Sequence, residues 1–323
     1  MYKILKAGNL AGPNYEMLVE APRVAQRCLP GQFVIVKVGE KGERIPLTIT
    51  DYDREKGTIE LVYQPIGVST SKLSQLHTGD RITDFVGPLG QPSELTRMSD
   101  EELKKHRFVF IGGGVGTAPI YPQAKWLHEH GVQSDVIIGA KTKDLVILED
   151  RMKAVANVFI TTDDGSYGRH GMVTKCLEDR MKAVANVFIT TDDGSYGRHG
   201  MVTKCLEDLI AEGHSYDYCV CIGPMIMMKF TCLTTKKYQI PTIVSMNPIM
   251  VDGTGMCGAC RLMVDGEVKF ACVDGPEFDG HKVDFDLAMK RQTLYRTQEG
   301  EAFLAWKEGK THSGGCGQCG GDK

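Results

Sequence analysis

The pattern of apolar and polar positions divides the chain into a β-rich beginning, a mixed middle and a short C-terminal part. In residues 1–98, short alternating or β-branched runs are separated by Gly and Pro, and they lie at 32–38, 58–63 and 80–86. Short strands with turn residues between them are typical of antiparallel all-β units. The sequence therefore predicts a small antiparallel β-barrel over residues 1–98.

From about residue 105 the pattern alternates between buried strands and helical stretches. The first strand runs directly into a glycine-rich turn and a helix. Strands are predicted at 107–113, 134–141, 218–223 and 241–246, and a fifth in the repeated stretch between 148 and 205. Strands that alternate with helices form parallel sheets with helical crossovers. Residues 105–246 are therefore predicted to form a doubly wound α/β domain with five parallel strands.

A third, smaller unit is predicted over residues 247–285. Two short strand-like runs flank the dipeptide Asp265-Gly266, which is a strong signal for a β-hairpin turn. A hairpin here would return the chain so that Cys272 faces Cys257 and Cys260, which precede the first of the two runs.

The remaining segment, 286–323, combines a helical stretch with a polar tail. Residues 286–308 show helical spacing and would brace the domains. The tail beyond them has almost no apolar residues and is predicted to be disordered. Its Cys316 and Cys319 form a CxxC pair, for which a metal-binding or redox role is the alternative.

Composition narrows the class of protein. The chain has 323 residues, enough for two or three domains, and its net charge of −3 gives no electrostatic reason to expect a nucleic acid partner. It contains no apolar run of ~18 residues for a membrane span and no signal-like beginning. Eleven cysteines without an export signal favour metal binding and free thiols in a reducing compartment. We therefore expect a cytoplasmic protein that does not bind membranes.

One stretch of 29 residues occurs twice in tandem without a single difference. The copies are Leu148–Cys176 and Leu177–Cys205. Two copies are too few for a solenoid. Identity without drift indicates a recent duplication or an artefact of sequence assembly, and we favour an artefact or accident. Each copy has the length of one strand–loop–helix unit, so the pattern does not tell which copy occupies the sheet.

Three cysteines lie in or near a glycine-rich stretch with a specific spacing. It reads Asp252-Gly-Thr-Gly-Met-Cys257-Gly-Ala-Cys260, and Cys272 follows after eleven residues. The plant-type [2Fe–2S] pattern is Cys-x4-Cys-x2-Cys with a distant fourth cysteine. Here a carboxylate stands at the first position of that pattern. The spacing predicts a [2Fe–2S] cluster, and the alternatives are a zinc knuckle or three ordinary buried cysteines.

Three further motifs carry candidate binding chemistry. Arg44-Ile-Pro-Leu-Thr48 joins a cation, a stiff backbone and a hydroxyl within the predicted barrel. Gly67-Val-Ser-Thr70 precedes a short helical pattern that begins at Ser71, and the N–H groups at the start of this helix would receive a phosphate. Gly112-Gly-Gly-Val-Gly-Thr-Ala-Pro119 lies between a strand and a helix, the context in which a glycine-rich turn cradles phosphates.

These motifs, in this order, resemble the ferredoxin–NADP reductase superfamily. The resemblance implies an antiparallel flavin barrel, a doubly wound nucleotide domain and a small C-terminal [2Fe–2S] segment. It implies FAD contacts from Arg44, Pro46, Leu47, Thr48, Gly67, Ser69 and Thr70. Arg44 would neutralise the pyrophosphate, and Thr48 would lie near the reacting flavin nitrogen N5.

The resemblance also implies where a nicotinamide nucleotide binds. The implied contacts are Gly113, Gly114, Gly116, Thr117, Ala118 and Pro119 in the glycine-rich turn, and Gly223, Pro224 and Met225 after a later strand. Cys221 ends that strand and would approach the nicotinamide. NADH is favoured over NADPH, because no Ser/Arg cluster for a 2′-phosphate follows the second strand, although Lys141 and Lys143 keep NADPH open.

Within the superfamily, two families share this order of parts. One comprises the electron-transfer subunits of dihydroorotate dehydrogenase B, whose pattern has four cysteines. The other comprises the small subunits of NADH-dependent reduced ferredoxin:NADP oxidoreductase, which use an aspartate plus three cysteines. Asp252 favours the second, with Asp252, Cys257, Cys260 and Cys272 as iron ligands. The alternative is that Asp252 only caps a turn, and that Cys316 or water completes the site.

The implied function is electron relay in a heterodimer. NADH gives up two electrons together and a [2Fe–2S] cluster accepts one, so a flavin must stand between them. The partner would be a larger flavin and iron–sulfur subunit, similar to the glutamate synthase small subunit, through which ferredoxin and NADP react. A dihydroorotate-oxidising partner, a stand-alone flavin reductase and a regulatory flavin-binding module are the alternatives.

Overall fold

The structure is a computed structural model that describes residues 1–40, 42–106, 108–140, 143–162, 166–167, 169–170, 190–191, 198–199, 219–222 and 225–309. None of the helices in this described part is both long and apolar enough to cross a membrane.

Seven antiparallel strands form a nearly closed barrel at the beginning of the chain. They are β1 (Tyr2–Ala11), β2 (Asn14–Glu20), β3 (Phe33–Lys37), β4 (Arg44–Asp53), β5 (Thr58–Tyr63), β6 (Arg81–Ile82) and β7 (Asp84–Leu89). Their order in the sheet is β6-β1-β2-β5-β4-β3-β7. Fully buried aliphatic side chains fill the interior, among them Ile4, Met17, Ile59 and Leu61. The predicted barrel is therefore confirmed.

One predicted strand of the barrel is in fact two. The run 80–86 divides at Thr83, whose backbone N–H donates to the carbonyl of Lys37 at 3.1 Å. Before this point β6 pairs with β1, and after it β7 pairs with β3. The chain thus passes from one edge of the sheet to the other, which is why the barrel nearly closes.

Three short helices accompany the barrel and its exit. They are α1 (Pro22–Ala25), α2 (Val68–Leu73) and α3 (Asp100–Leu103), and a 3₁₀ turn at Glu94–Arg97 lies between the last two. Ser99 caps α3, since its hydroxyl accepts from the N–H of Glu102 while the Glu102 carboxylate accepts from the N–H of Ser99.

The middle of the chain contains parallel strands with helical crossovers, as predicted. Its elements are β8 (Val109–Gly113), α4 (Thr117–Glu129), β9 (Asp135–Ala140), α5 (Glu149–Lys153), β10 (Asn157–Thr162), β11 (Arg169–His170), β14 (Cys219–Cys221), α6 (Met225–Lys237) and β15 (Thr242–Ser245). One sheet has the order β11-β10-β9-β8, and β14 pairs in parallel with β15. Within the described residues these two groups share no ladder of backbone hydrogen bonds.

The described strands of the two tandem copies form the same local pairing but belong to different sheets. In the first copy, Thr161 and Thr162 of β10 pair with Arg169 and His170 of β11. In the second, β12 (Thr190–Thr191) pairs with β13 (Arg198–His199) in the same register. Among the described residues, the first copy joins the main sheet through β10 and β9, whereas β12 and β13 form a separate two-stranded sheet.

The last part of the described chain contains the predicted hairpin. Its elements are β16 (Arg261–Val264), β17 (Glu267–Phe270), β18 (Glu277–Asp279), α7 (Phe285–Gln292) and α8 (Arg296–Lys307). Asp265 and Gly266 form the turn with φ of 55° and 75°, the left-handed geometry that this dipeptide favours. β18 joins the edge of the α/β region by pairing antiparallel with β15.

A shared hydrophobic core joins the three regions. Phe33 and Ile35 of β3, Met228 of α6 and Val244 of β15 pack in one cluster with Cys260, Cys272, Leu262 and Val264 of the C-terminal region. The predicted iron-ligating segment is therefore anchored simultaneously on the barrel and on the α/β region.

Candidate functional site

The predicted flavin strand is β4, in the middle of the barrel. Arg44 begins it opposite Lys37 of β3, and Thr48 lies opposite Phe33. Pro46 and Leu47 lie between them, opposite Ile35 and Val34. The four predicted positions therefore follow one another along a central strand rather than a loop.

Arg44 connects this strand to the predicted cluster loop. Its guanidinium donates a hydrogen bond to the backbone carbonyl of Asp252 at 3.3 Å. Its Nε is buried and has no hydrogen-bond partner among the described residues. A buried donor without a partner is costly, so this atom is suited to an anionic group such as a flavin pyrophosphate.

The predicted phosphate contacts at the start of α2 are engaged in local hydrogen bonds. The Thr70 hydroxyl accepts from the N–H groups of Ile66 and Gly67 at 3.0 and 3.1 Å. The Ser69 hydroxyl donates to the carboxylate of Glu43 at 2.7 Å. The helix begins at Val68, three residues earlier than the pattern indicated. Gly67 precedes it in an extended conformation, with open space where a Cβ would stand.

The glycine-rich turn has the predicted strand–turn–helix geometry. β8 ends at Gly113, Gly114–Gly116 form a 3₁₀ turn, and α4 starts at Thr117. Ala118 is buried and Pro119 follows it in the first turn of α4. The Thr117 hydroxyl is fully buried without a hydrogen-bond partner in the described part of the chain. It therefore has donor and acceptor capacity available at a helix N-terminus.

The second predicted nucleotide contact is only partly described. Cys221 ends β14 and pairs in register with Val244 of β15. Gly223 and Pro224 lie outside the described residues. Met225 begins α6 and is 4% exposed in the core shared by the three regions, so packing accounts for its side chain.

Two of the predicted cluster cysteines lie side by side. The sulfurs of Cys260 and Cys272 are 3.2 Å apart, and both residues are buried. Burial, with the neighbouring Cys260 thiol, raises the pKa of Cys272 to about 12, so its thiolate needs a cation for compensation. Cys257 is exposed. A close pair suits two ligands on one iron of a two-iron core.

Asp252 lies at the beginning of the same loop. One oxygen of its carboxylate, Oδ2, accepts from the N–H groups of Thr254 and Met256, at 3.2 and 3.3 Å, and from the Thr254 hydroxyl. The Thr254 hydroxyl and these N–H groups, with the charge of Arg44, lower the pKa of Asp252 below its ordinary value. The carboxylate therefore caps the turn in its ionised form. Its second oxygen, Oδ1, takes part in none of these three hydrogen bonds.

The cluster loop lies directly against the barrel. Gly253 has φ +81°, and a Cβ there would stand 2.7 Å from Cγ1 of Ile35 and 2.8 Å from Cδ1 of Leu89. Gly255 and Gly258 are also left-handed. These glycines let the loop curl tightly, and Gly253 also permits its close approach to β3 and β7.

Sequence reasoning missed two residues at this site. Arg291 of α7 donates to the carbonyl of Ala259, between Cys257 and Cys260, at 3.0 Å. Its Nε is buried and has no hydrogen-bond partner among the residues that the structure describes. Thr50, on β4, has a fully buried hydroxyl that is likewise unpartnered. Neither had a sequence signal, because Arg291 is distant in the chain and Thr50 resembles any strand threonine.

The chemistry of the donor set fits an iron–sulfur cluster. Three cysteine sulfurs and one carboxylate lie along a loop with left-handed glycines and at the end of the hairpin that follows it. Each iron of a [2Fe–2S] core takes two protein ligands, and this arrangement offers Cys260 with Cys272 as one such pair.

Comparison with known proteins agrees with this geometry. The iron–sulfur cluster binding domain of dihydroorotate dehydrogenase B matches residues 247–284. The chain is 53% identical over 325 residues to an uncharacterized protein in the adh 3′ region of Clostridium beijerinckii, covering 100% of both chains. It is 41% identical over 297 residues, 92% of each chain, to a Thermotoga maritima homolog of the dihydroorotate dehydrogenase B (NAD(+)) electron transfer subunit.

A solved structure is similar over almost the same extent. A chain of NADH-dependent reduced ferredoxin-NADP oxidoreductase, described for its flavin-based electron bifurcation, superposes with a TM-score of 0.73 at 37% identity. The match covers 95% of this chain and 98% of that one. With these relatives aligned over nearly their whole lengths, the chain belongs to the family of the dihydroorotate dehydrogenase B electron-transfer subunits and their homologues.

Proposed function

We propose that this chain is an oxidoreductase subunit that passes electrons between NADH, FAD and a [2Fe–2S] cluster, and from there to a partner flavoprotein. A bound flavin supplies the chemistry that links the steps, because it accepts a hydride and releases electrons singly. Membership in a family of electron-transfer subunits supports this function. The finer proposal is an electron-bifurcating complex with NADP and ferredoxin as the partner's substrates.

The cluster would be held by Asp252, Cys257, Cys260 and Cys272. The three cysteines supply thiolates, and the free oxygen of Asp252 supplies a harder ligand at the first position. Turn capping and iron ligation are compatible, because the capping hydrogen bonds of the Asp252 side chain all go to Oδ2. Arg44 and Arg291 fix the loop by donating to its carbonyls at Asp252 and Ala259.

The flavin would lie along β4. Arg44 would neutralise its phosphates through the buried Nε, and Thr48 would contact the ring. Pro46 and Leu47 would support the flavin from the part of β4 between Arg44 and Thr48. Gly67, Ser69 and Thr70 remain candidates for the phosphate end, where the Ser69 hydroxyl would have to leave Glu43.

The nicotinamide nucleotide would bind at the carboxyl edge of the parallel strands. The turn Gly113–Gly116 and the buried hydroxyl of Thr117 would receive its phosphates, with Ala118 and Pro119 shaping the first turn of α4. Cys221 ends β14, and it would contribute from the carboxyl end of that strand, where ligands of parallel sheets collect.

The observation that carries the proposal is the contact between the flavin strand and the cluster loop. Arg44 donates to the Asp252 carbonyl across 208 positions of sequence. Gly253 lies against Ile35 and Leu89 of the barrel. A flavin on β4 and a cluster in this loop would therefore be neighbours, as single-electron transfer between them requires.

Native purification from the source organism tests the proposal directly. We expect a yellow-brown protein with FAD, iron and sulfide, whose flavin and iron–sulfur absorption NADH bleaches. A co-purifying chain similar to the glutamate synthase small subunit would support the bifurcating complex. A monomer that reduces soluble acceptors at full rate would contradict the subunit role, and flavin that NADH fails to bleach would contradict the enzyme.

A second candidate is the electron-transfer subunit of dihydroorotate dehydrogenase B itself. The match of residues 247–284 to the iron–sulfur domain of that enzyme favours it. The aspartate at position 252 and the solved relative at 37% identity favour the bifurcating complex. A dihydroorotate-oxidising partner in the purified complex would decide for the second candidate.

Asp252→Cys should keep the cluster but change its spectrum. The substitution completes a four-cysteine set, so we expect retained iron with shifted visible absorption, EPR g-values and midpoint potential. Asp252→Asn is the control, because an amide oxygen still caps the turn but binds iron more weakly than a carboxylate. An unchanged spectrum and potential in both variants would reduce Asp252 to a turn residue.

A further inference from the structure

A partly buried network of four charges joins the barrel to the α/β region. Arg151 of α5 donates through one terminal nitrogen to Asp51 at 2.6 Å and through the other to Glu60. Lys125 of α4 donates to the other oxygen of Asp51 at 2.8 Å. Both carboxylates belong to the barrel and both cations to the α/β region, so each of these three ion pairs crosses between them.

The setting makes this network more than a set of surface ion pairs. The side chains of Asp51 and Glu60 are 19% and 15% exposed, and that of Arg151 is 33% exposed. The Arg151 guanidinium lies 4.5 Å from the ring centre of Tyr121. Burial alone would lower the pKa values of Lys125 and Arg151, but their carboxylate partners outweigh it and raise both. Lys125 and Arg151 therefore keep their positive charges at neutral pH.

Its anchor points lie on the two elements that carry the candidate redox sites. Asp51 is on β4, three residues after Thr48. Lys125 is on α4, which begins at Thr117 after the glycine-rich turn. The ion pair between Asp51 and Lys125 therefore ties the predicted flavin strand to the helix that would receive the nucleotide.

The tandem repeat provides a test of which copy supplies the network. Arg151 lies in the first copy, and the identical position of the second copy is Arg180, which lies outside the described residues. The first copy also carries β10, which pairs with β9 from Asn157 to Thr162. The described strands of the second copy pair only with each other.

We propose that the network of Asp51, Glu60, Lys125 and Arg151 positions the α/β region on the barrel, and that the first repeat copy alone supplies its arginine. Arg151 is a positioning residue: it touches neither predicted cofactor site, and acts through β4 and α4. Its catalytic consequence rests on the proposed function, whereas its consequence for stability does not. The second copy is then an insertion that the fold tolerates.

The central experiment compares Arg151→Met with Arg180→Met in the full-length holoprotein. These substitutions occur in the same local sequence, so helix propensity and net charge change equally. Arg151→Met leaves two half-buried carboxylates short of a partner, and we expect the apparent Tm to fall by roughly 3–8 °C. Arg180→Met should leave it unchanged. The Tm comparison does not depend on enzyme activity, so its result remains informative even if the proposed function is wrong.

NADH oxidation with a soluble acceptor, measured per bound flavin, separates positioning from mere stability. Arg151→Met should lower kcat by about tenfold with the KM for NADH unchanged, because the approach of the two regions changes while the nucleotide contacts do not. Arg151→Lys should recover only part of the loss, since one ammonium cannot span both carboxylates as a guanidinium does. The double variant Glu60→Gln/Arg151→Met should lose less kcat, expressed as a free energy, than the sum of the losses of the two single variants.

The opposite results overturn the proposal. Equal losses from Arg151→Met and Arg180→Met would show that the copies exchange places. A loss from Arg180→Met alone would assign the network to the second copy. A fall in Tm for Arg151→Met with kcat per flavin unchanged would leave the network without a positioning role.

Deletion of one repeat copy gives an independent check. Because the copies are identical, removing either 29-residue unit from the 323 residues leaves the same 294-residue protein. That protein retains one arginine for Asp51 and Glu60, and we expect NADH oxidation and Tm to match those of the full chain. Loss of flavin or NADH activity on deletion would show that the second copy is needed.

Discussion

Substitution of Cys272 by serine should strip the protein of most of its iron while leaving its flavin in place. Cys272 is 2% exposed, and its sulfur lies 3.2 Å from that of Cys260. Removing one sulfur of this close pair leaves one iron short of a thiolate, and a serine hydroxyl is a poor substitute. Iron should fall from about two atoms per chain towards zero. NADH should still bleach the flavin, and cytochrome-type one-electron acceptors should be reduced far more slowly.

Cys232→Ser is the matched control for this prediction. Cys232 is also buried, at 4% exposure, and lies on α6 in the same hydrophobic core as Cys272. Both variants place a hydroxyl in an apolar setting and should lose similar stability, so a difference in iron content reports ligation alone. Iron, acid-labile sulfide and the EPR signal of the reduced protein are the measurements. Equal iron in both variants would remove Cys272 from the ligand set.

Much of the fold followed from local chemistry. The hairpin turn at Asp265-Gly266 needs two left-handed residues, and this dipeptide adopts that geometry readily. The strand Thr58–Tyr63 has the predicted limits because its apolar run ends in turn residues on both sides. The glycine-rich turn before α4 likewise follows from glycines placed between a strand and a helix. In each case the residues that decide the structure are adjacent in sequence.

Features that depend on distant contacts did not follow from the pattern. Nothing near Arg44 indicates that it donates to Asp252, and nothing near Arg291 indicates a contact with Ala259. The division of the 80–86 run at Thr83 depends on the strands available on each side. The three-residue error at the start of α2 arose because Thr70 caps from inside the helix, whereas the pattern placed it before the helix.

The tandem repeat separates local from tertiary determinants most clearly. Two identical sequences form the same short pairing, Thr161 with Arg169 and Thr190 with Arg198, because that pairing is local. Within the part of the chain that the structure describes, the first copy pairs with β9 and the second does not. Chain order explains the difference, since the first copy follows β9 through a short connection and reaches the sheet edge by the usual parallel crossover. Because the two copies are identical, sequence alone cannot decide which copy pairs in the main sheet, but the position of each copy along the chain can.

Gly253→Ala should move the cluster loop away from the barrel and slow the transfer of electrons to the cluster. The left-handed φ of +81° costs alanine about 1–2 kcal/mol. The new Cβ would also stand 2.7 Å from Cγ1 of the fully buried Ile35 and 2.8 Å from Cδ1 of Leu89. Overpacking of this kind costs roughly a further 1–3 kcal/mol. The loop can relieve it most easily by shifting outward, which lengthens the path from a flavin on β4.

Gly266→Ala isolates the backbone part of that cost. Gly266 has φ +75°, but a Cβ there would meet no atom within 4 Å, so strain is the only penalty. Thermal unfolding should therefore show a larger loss for Gly253→Ala than for Gly266→Ala. Stopped-flow reduction by NADH should show normal flavin bleaching in both, and slowed cluster bleaching only in Gly253→Ala. If the two variants lose equal stability and reduce their clusters at the wild-type rate, close contact between Gly253 and the barrel does not govern electron transfer. The contact between loop and flavin strand would then serve folding, and the path to the cluster would have to begin elsewhere on the flavin.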